Sequence, residues 1–252
     1  METIVRRSGY FAAIGLLAAS GCFSGSYEEA YSKSVDRYRQ ESEFQRLHKE
    51  PKKLLGGRLQ FRFPKLFADE DQDGNKDWSK PPILKDFLGT RIGYRRVRDL
   101  NNEKLWATLT VWPVTDEERS LDRIKTEIRD AVRKAPFETV DWQTVEPQAD
   151  GGGKPAWSIL KMQGQQPFER EIASVTEAKE TNGETQIWVS SNPESKVSAV
   201  LVWRVPEELA ADVPLNELAS LVSRTVELMP ASKPAAAAAP PEAAQDPAPA
   251  TN

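Results

Sequence analysis

Two amphipathic helices restrict the folds open to this chain. The periodicity of apolar residues predicts helices at about 116–135 and 214–229. Each helix has a single apolar face, which must be buried against another element. The faces comprise Leu121, Ile124, Ile128, Ala131 and Val132 in the first helix, and Leu215, Leu218, Val222, Val226 and Met229 in the second.

The remaining apolar segments have the alternation and the Val and Trp content of β-strands. They are LQFRF (59–63), TRIGYRRV (90–97), KLWATLTVW (104–112), TVDWQTV (139–145), AWSILKM (156–162), TQIWVSS (185–191) and KVSAVLVWRV (196–205). Turn residues separate them at 99–102, 151–153, 182–183 and 192–193. The predicted fold class is therefore α+β, with both helices packed on a single antiparallel sheet of about six to seven strands.

Four zones follow along the chain. Residues 1–21 have the anatomy of a signal peptide, and 22–57 are predicted as a flexible tether and a spacer helix. The spacer helix has a thin apolar stripe of Tyr31, Val35 and Tyr38, so we expect it to pack weakly or not at all. Residues 58–229 are predicted to form the globular domain. Residues 230–252 are dominated by Pro and Ala and predict a disordered tail.

The first 22 residues predict export. Arg6 and Arg7 precede an apolar stretch, YFAAIGLLAA at 10–19, which is about half the ~20 residues that a transmembrane helix requires. Ala19-Ser20-Gly21 and then Cys22, the only cysteine of the chain, follow this stretch. An ordinary signal peptide cut near Ala19 or Gly21, which would leave a free thiol, is the alternative to a lipid-attachment signal.

This arrangement resembles the lipobox (type II signal peptide) of bacterial lipoproteins. The resemblance implies cleavage before Cys22, lipidation of that residue with diacylglycerol and often palmitate-type acylation, and attachment to a membrane. In that family an aspartate after the cysteine holds the protein at the inner membrane. Phe23 stands there in this chain, so the resemblance implies the periplasmic face of the outer membrane.

The order of the elements in 58–229, with a Gly-rich turn before Ala156-Trp157, is similar to the PsbP-like fold. That fold is shared by an extrinsic photosystem II subunit, a Ran-binding nuclear import factor and various bacterial lipoproteins. The resemblance implies a non-enzymatic binding or assembly role, and it assigns no functional residue.

Composition argues against several function classes. Without Glu2, Arg6 and Arg7, 32 basic and 37 acidic residues remain, so we expect no general attraction to nucleic acid or anionic lipid. A lone cysteine excludes an internal disulfide and a Cys-based zinc site. His48 is the only histidine, no G-x-S-x-G motif is present, and the run from Gly151 to Lys154 continues with Pro155 where a phosphate-binding loop needs Ser or Thr. We therefore expect no catalytic residue and no cofactor.

The strongest local motif is acidic. Asp69, Asp71, Asp73 and Gly74 match the first half of an EF-hand-type calcium loop, and Asp77 falls at its ninth position. Lys80 occupies the twelfth position, where a bidentate glutamate is expected. These four aspartates are candidate metal ligands, but the departures from the motif favour a solvated acidic loop.

The chain has seven tryptophans, and most of them fall within strand patterns. Trp106 and Trp112 lie an even number of residues apart on one strand, so they face the same side of the sheet. We interpret them as core residues; an exposed row would instead suggest a platform for a carbohydrate or a partner.

The resulting functional hypothesis is a membrane-anchored cell-envelope lipoprotein that acts as a binding or assembly module. The membrane is its expected partner, and an envelope protein is a second candidate. Two alternatives remain. One is an envelope hydrolase with an unrecognised site, and the other is a calcium-dependent adhesion or assembly protein that uses the acidic loop.

Overall fold

The fold is given by a computed structural model that describes residues 24–87, 89–133, 138–139, 141–145 and 156–230. The predicted signal peptide, Cys22, the turn at 151–154 and almost all of the Pro/Ala tail lie outside these ranges. None of the described helices has the length and apolar character needed to cross a membrane.

Three α-helices and eleven strands are described. The helices are α1 (Ser24–Phe44), α2 (Leu121–Arg133) and α3 (Leu215–Ser223). The strands are β1 (Lys52–Leu54), β2 (Leu59–Phe61), β3 (Asp69–Asp71), β4 (Ile92–Leu100), β5 (Glu103–Thr115), β6 (Glu138–Thr139), β7 (Gln143–Val145), β8 (Trp157–Ile172), β9 (Val175–Asn192), β10 (Val197–Pro206) and β11 (Glu227–Leu228).

The main sheet has eight strands. Its order is β3-β4-β5-β10-β9-β8-β6, and β7 also pairs with β8. All of these pairs are antiparallel. The predicted α+β class with an antiparallel sheet is therefore confirmed. The hairpin of β4 and β5 is confirmed as well, with Asn101 and Asn102 at positive φ in its turn.

The prediction of a single sheet is wrong. The LQFRF segment contributes β2 to a separate three-stranded sheet, in the order β1-β2-β11. Leu59 and Phe61 on β2 are fully buried. This small sheet therefore covers part of the core formed on one face of the main sheet.

Each face of the main sheet carries one helix. Leu109 of β5 and Leu201 and Trp203 of β10 belong to the core that α3 covers. Trp112 of β5 and Val200 and Val202 of β10 belong to the core that α2 covers. Alternation along the strands thus gives the sheet two apolar faces. The buried residues of α2 are Ile124, Ile128 and Val132.

Local signals explain where α2 begins. The backbone N–H of Arg123 donates to Ser120 Oγ at 3.4 Å, and that of Ile124 donates to the Ser120 carbonyl at 3.0 Å. Ser120 therefore acts as the N-cap. The helix consequently begins at Leu121, five residues after the predicted position.

The last predicted helix is shorter than expected. α3 ends at Ser223, and β11 follows at Glu227–Leu228 instead of another helical turn. Val226 is 1% exposed, so it is buried as predicted, but outside the helix. The N–H of Met229 donates to the carbonyl of Arg58 at 2.7 Å, which shows that pairing with the small sheet replaces helical hydrogen bonding.

Strands β8 and β9 are much longer than the sequence predicted. β8 and β9 form one hairpin that turns at Ala173-Ser174, so Asn182-Gly183 is not a turn. Gly183 instead pairs with Gly164 across the hairpin. The ring of Phe168 packs directly over Gly183, where a Cβ atom would collide with the ring and lie 2.7 Å from the Val205 carbonyl oxygen.

The predicted strand at 139–145 is divided into β6 and β7, which pair with different parts of β8. β6 pairs with Met162 and Gln163, whereas β7 pairs with the first residues of β8.

The predicted domain start at residue 58 is too late. α1 ends at Phe44, and the side chain of Phe44 packs against the core. Leu47 is 1% exposed, and β1 pairs with β2. Residues that were assigned to the tether therefore belong to the compact part of the chain, whereas the stripe of Tyr31, Val35 and Tyr38 is exposed as expected.

Candidate functional site

A cleft of about 720 Å³ lies between α2, the loop at 82–87 and the middle of the β8–β9 hairpin. We call it the α2 cleft. Its volume lies within the ~300–1,000 Å³ that is typical of small-molecule sites. The lining residues are Pro82–Phe87, Arg119, Arg123, Glu127, Asp130, Ala131, Gln166, Pro167, Glu180, Thr185 and Arg204.

The inner end of the α2 cleft is polar. Thr185 Oγ1 donates to Gln166 Oε1 at 2.6 Å, and Gln166 Nε2 donates to the carbonyls of Met162 and Gly183 at 3.2 and 3.3 Å. Both side chains are buried. These bonds fix the position of the amide and the hydroxyl, since every strong donor and acceptor among them has a partner.

Arg204 lies beside this pair. It is 3% exposed and forms an ion pair with Glu169 at 2.7 Å. The guanidinium also donates to the Pro167 carbonyl and lies 5.1 Å from the centre of the Phe168 ring. The charge of Arg204 is thus satisfied by the β8–β9 hairpin, which closes this end of the cleft.

The outer part of the cleft combines apolar and charged side chains. Leu84 and Phe87 are buried, and Arg119 lies 4.6 Å from the centre of the Phe87 ring. Arg119 and Arg123 both pair with Glu127, at 3.3 and 2.9 Å. The lining contains four basic and four acidic side chains, so the cleft has no marked excess of charge.

Sequence reasoning missed this site, although one signal was present. In the run VSAVLVWRV, Arg204 has the same parity as Val200 and Val202, which face the core under α2. Alternation therefore places the guanidinium of Arg204 on an apolar face. A buried cation without a partner raises the free energy of the folded state. A partner such as Glu169 could have been expected, but the long hairpin that supplies it was not predicted.

The acidic loop does not gather its four aspartates. Asp69 and Asp71 lie on β3, and Asp69 pairs with Arg95 at 3.0 Å. Asp71 accepts a hydrogen bond from the N–H of Lys76 at 2.9 Å, while the side chain of Asp77 is 95% exposed and that of Asp73 is exposed too. Within the described part of the chain, no group of three or more His, Cys, Asp or Glu side chains could hold a metal ion.

The carboxylate of Asp71 has a structural role in its own loop. Burial alone would raise its pKa, but hydrogen bonds from Ser79 and from the backbone N–H groups of Lys76 and Asn75 favour the ionised form and leave the pKa of Asp71 below its ordinary value. Gly74 is needed in this loop, since it has a φ of 61° and a Cβ would lie 2.5 Å from the Arg91 carbonyl oxygen.

We expect the loop not to bind calcium tightly, because its carboxylates diverge and the twelfth ligand is replaced by Lys80. Calorimetric titration of the soluble Cys22→Ser protein with Ca²⁺ should give no dissociation constant near the micromolar range. Micromolar binding that disappears in Asp71→Ala would contradict this prediction and would establish the loop as the site.

The other residues considered from sequence have packing roles. His48 follows α1 and stacks on Phe63, with 4.1 Å between the ring centres. Six of the seven tryptophans are at most 7% exposed, and Trp142 packs partly buried under α2. The interpretation of the tryptophans as core residues is therefore confirmed for these positions, and Trp106 and Trp112 do share one face.

Comparisons with known proteins give no family for this chain. No protein-family model matches it, and no curated protein matches it in sequence. Among solved structures, it is similar to the Ran-binding protein Mog1p of Saccharomyces cerevisiae, with a TM-score of 0.38 and 12% identity over 73% of this chain and 97% of that one. A mutant of protein Mog1 matches with a TM-score of 0.36 and 11% identity, over 72% and 96% of the two chains.

Proposed function

We propose that the protein is an exported lipoprotein, held at the periplasmic face of the outer membrane through lipid on Cys22, and that it acts as a non-enzymatic binding module of the cell envelope. The α2 cleft is its ligand site in this proposal. The PsbP-like resemblance of residues 58–229 implies the same class of role.

The single cysteine carries the first part of the proposal. Cys22 directly follows a basic segment, an apolar stretch and a group of small residues, in that order. Lipidation requires a cysteine at this position, and the only cysteine of the chain stands there. α1 begins at Ser24, so a regular helix follows the attachment point almost immediately. Several acyl chains, at about 0.8 kcal/mol per buried methylene, make such an attachment effectively stable.

The lining of the α2 cleft supports binding rather than nucleophilic catalysis. No serine, cysteine or histidine is among the described residues around it, and Thr185 donates its proton to an amide oxygen, which is not a general base. Gln166 and Arg204 are held by hydrogen bonds within the protein. Such a fixed polar end next to an apolar wall suits recognition of an organic ligand.

Lipidation of Cys22 is tested by metabolic labelling with a palmitate analogue. We expect the wild type to carry the label and to sediment with membranes, and we expect Cys22→Ser to lose both properties. Ser20→Ala is a suitable control, because alanine keeps a small residue ahead of the cysteine. Equal labelling of the wild type and Cys22→Ser would contradict the proposal.

Ligand binding in the α2 cleft is tested with 8-anilinonaphthalene-1-sulfonate, a fluorescent apolar probe. Ala131 lines the cleft, so Ala131→Trp should fill it and reduce the probe's fluorescence severalfold. Ala178→Trp adds the same side chain at an exposed position of β9 and should leave the signal unchanged. Equal fluorescence of the two variants would argue against the cleft, and labelling of the wild type by a fluorophosphonate would favour the hydrolase alternative.

A further inference from the structure

A different cavity, of about 510 Å³, lies just after the end of α1. Its lining comes from residues 48–52 and from Phe63 and Lys65, next to the paired segments 46–48 and 63–65. They run antiparallel, with the N–H of His48 donating to the Phe63 carbonyl at 3.0 Å and the N–H of Lys65 donating to the Arg46 carbonyl at 2.9 Å. An isolated bridge between Leu47 and Pro64 completes the pairing. We call it the lysine cavity.

Three lysines line this cavity: Lys49 and Lys52 from one segment and Lys65 from the other. Lys52 is half-buried and pairs with Glu70 at 2.5 Å. Lys49 and Lys65 are exposed, and among the described residues neither has an acidic partner within ion-pair distance. Glu50 is the only acidic residue in the lining. An otherwise acidic chain therefore has a local concentration of positive charge here.

Aromatic rings lie beside these lysines. His48 stacks on Phe63, and Phe63 stacks on Tyr94 with 4.2 Å between the ring centres. Phe63 is half-buried, so part of its ring forms an apolar surface in the lysine cavity. Unpaired cations next to an apolar ring fit an anionic group that is joined to an apolar body, such as the headgroup region of a phospholipid.

The position of α1 identifies the source of this ligand. α1 has 21 residues and is about 31 Å long. Tyr31, Val35 and Tyr38 on its exposed stripe have 64%, 40% and 78% of their surface accessible. Tyrosine is enriched at the membrane–water interface. With the stripe against the bilayer, α1 lies along the surface and brings the lysine cavity to the membrane that holds Cys22.

From this arrangement we propose that the lysine cavity binds the headgroup of an anionic phospholipid. Binding at this second point orients the α2 cleft relative to the membrane, in addition to the anchor at Cys22. The inference rests in part on the proposed lipid attachment, but the charge and shape of the cavity do not depend on it.

The test uses the exported form, residues 22–252, with Cys22→Ser, so that the anchor itself is absent. We expect it to sediment with phosphatidylglycerol vesicles but not with phosphatidylcholine vesicles, and to be released as the salt concentration rises. Because basic residues near an anionic surface are attracted to it, Lys49→Gln with Lys65→Gln should weaken vesicle binding at least about tenfold. Lys179→Gln with Lys196→Gln removes the same charge from exposed positions elsewhere and should leave binding within about twofold.

Three results would overturn the inference: no binding to anionic vesicles, equal loss in both double variants, or binding of soluble glycerol 3-phosphate that is as tight as vesicle binding. The last result would assign the cavity to a free phosphate compound. Thermal melts of both double variants should match the parent, since all four lysines are exposed. If vesicle binding fails while the wild type is still labelled by the palmitate analogue, only the lysine cavity is refuted and the lipoprotein proposal stands.

Discussion

A chain that ends at Val213 should show no cooperative thermal melt, whereas a chain that ends at Met229 should melt like the full-length protein. The shorter chain lacks α3 and β11, which contribute seven buried apolar side chains: Leu215, Leu218, Ala219, Leu221, Val222, Val226 and Leu228. Burial of one leucine or valine side chain contributes about 1.5–3 kcal/mol, so their combined loss exceeds a typical total stability of about 5–15 kcal/mol.

Both truncated chains should begin at residue 22 with Cys22→Ser, and circular dichroism on heating is the measurement. Removal of residues after Met229 should shift the melting temperature by no more than about 2 °C, because these residues are almost all Ala, Pro and polar. An equally high and cooperative melt of the chain that ends at Val213 would contradict the packing of α3 on the sheet.

Glu169→Ala should cost about 3 kcal/mol of unfolding free energy. The side chains of Glu169 and Arg204 are only 12% and 4% exposed, and removal of one partner leaves the other charge buried without compensation. Arg204 keeps its contact with the Pro167 carbonyl, which places the expected cost at the lower end of the range for broken buried pairs. Chemical denaturation with urea measures this change.

Glu171→Ala is the matched control, because Glu171 lies two residues further along β8 and also forms an ion pair, with Lys104 at 2.6 Å. Its side chain and that of Lys104 are 25% and 48% exposed, and solvent screening leaves such exposed pairs with little effect on stability. Equal destabilisation by the two substitutions would contradict this prediction, because it would show that burial does not increase the contribution of the Glu169–Arg204 ion pair to stability.

Local periodicity was enough to predict the class of fold and most of the core. The spacing of apolar residues predicts which side of α2 and of β10 is buried. Ile124 and Ile128, four residues apart on α2, share one core, and Leu201 and Trp203, two residues apart on β10, share the other. The exposed stripe of α1 was also predictable, because two tyrosines and a valine cannot form an apolar face wide enough to pack.

The elements that were missed depend on tertiary contacts. The outer half of the β8–β9 hairpin contains GQQPFERE, which has a glycine, a proline and charged residues and therefore lacks a strand pattern. It is ordered by the cross-strand pairing of its two halves and by burial of Phe168. Asn182-Gly183 has the composition of a turn. Here, however, glycine is required because the ring of Phe168 lies where a Cβ atom would be.

The α2 cleft could not be predicted because the outer half of the β8–β9 hairpin was not predicted. Gln166 and Pro167 on β8 contribute to the α2 cleft because β8 continues past Gly164 in one long hairpin with β9, which no local sequence rule specifies. The lysine cavity has a related origin, since Lys49 and Lys65 are distant in sequence and come together through a single bridge between Leu47 and Pro64.

The pairing of β8 with β5 has a topological consequence. β8 pairs with β5 at Glu103–Leu105, beyond the last β10 partner at Thr108, and β10 and β9 connect the same two strands. β5, β10, β9 and β8 thus form a closed circuit, from which no strand can peel away by losing neighbours on one side alone. The contact between β5 and β8 comprises three residue pairs, which makes it the shortest pairing in the circuit, and its rupture alone would open the circuit.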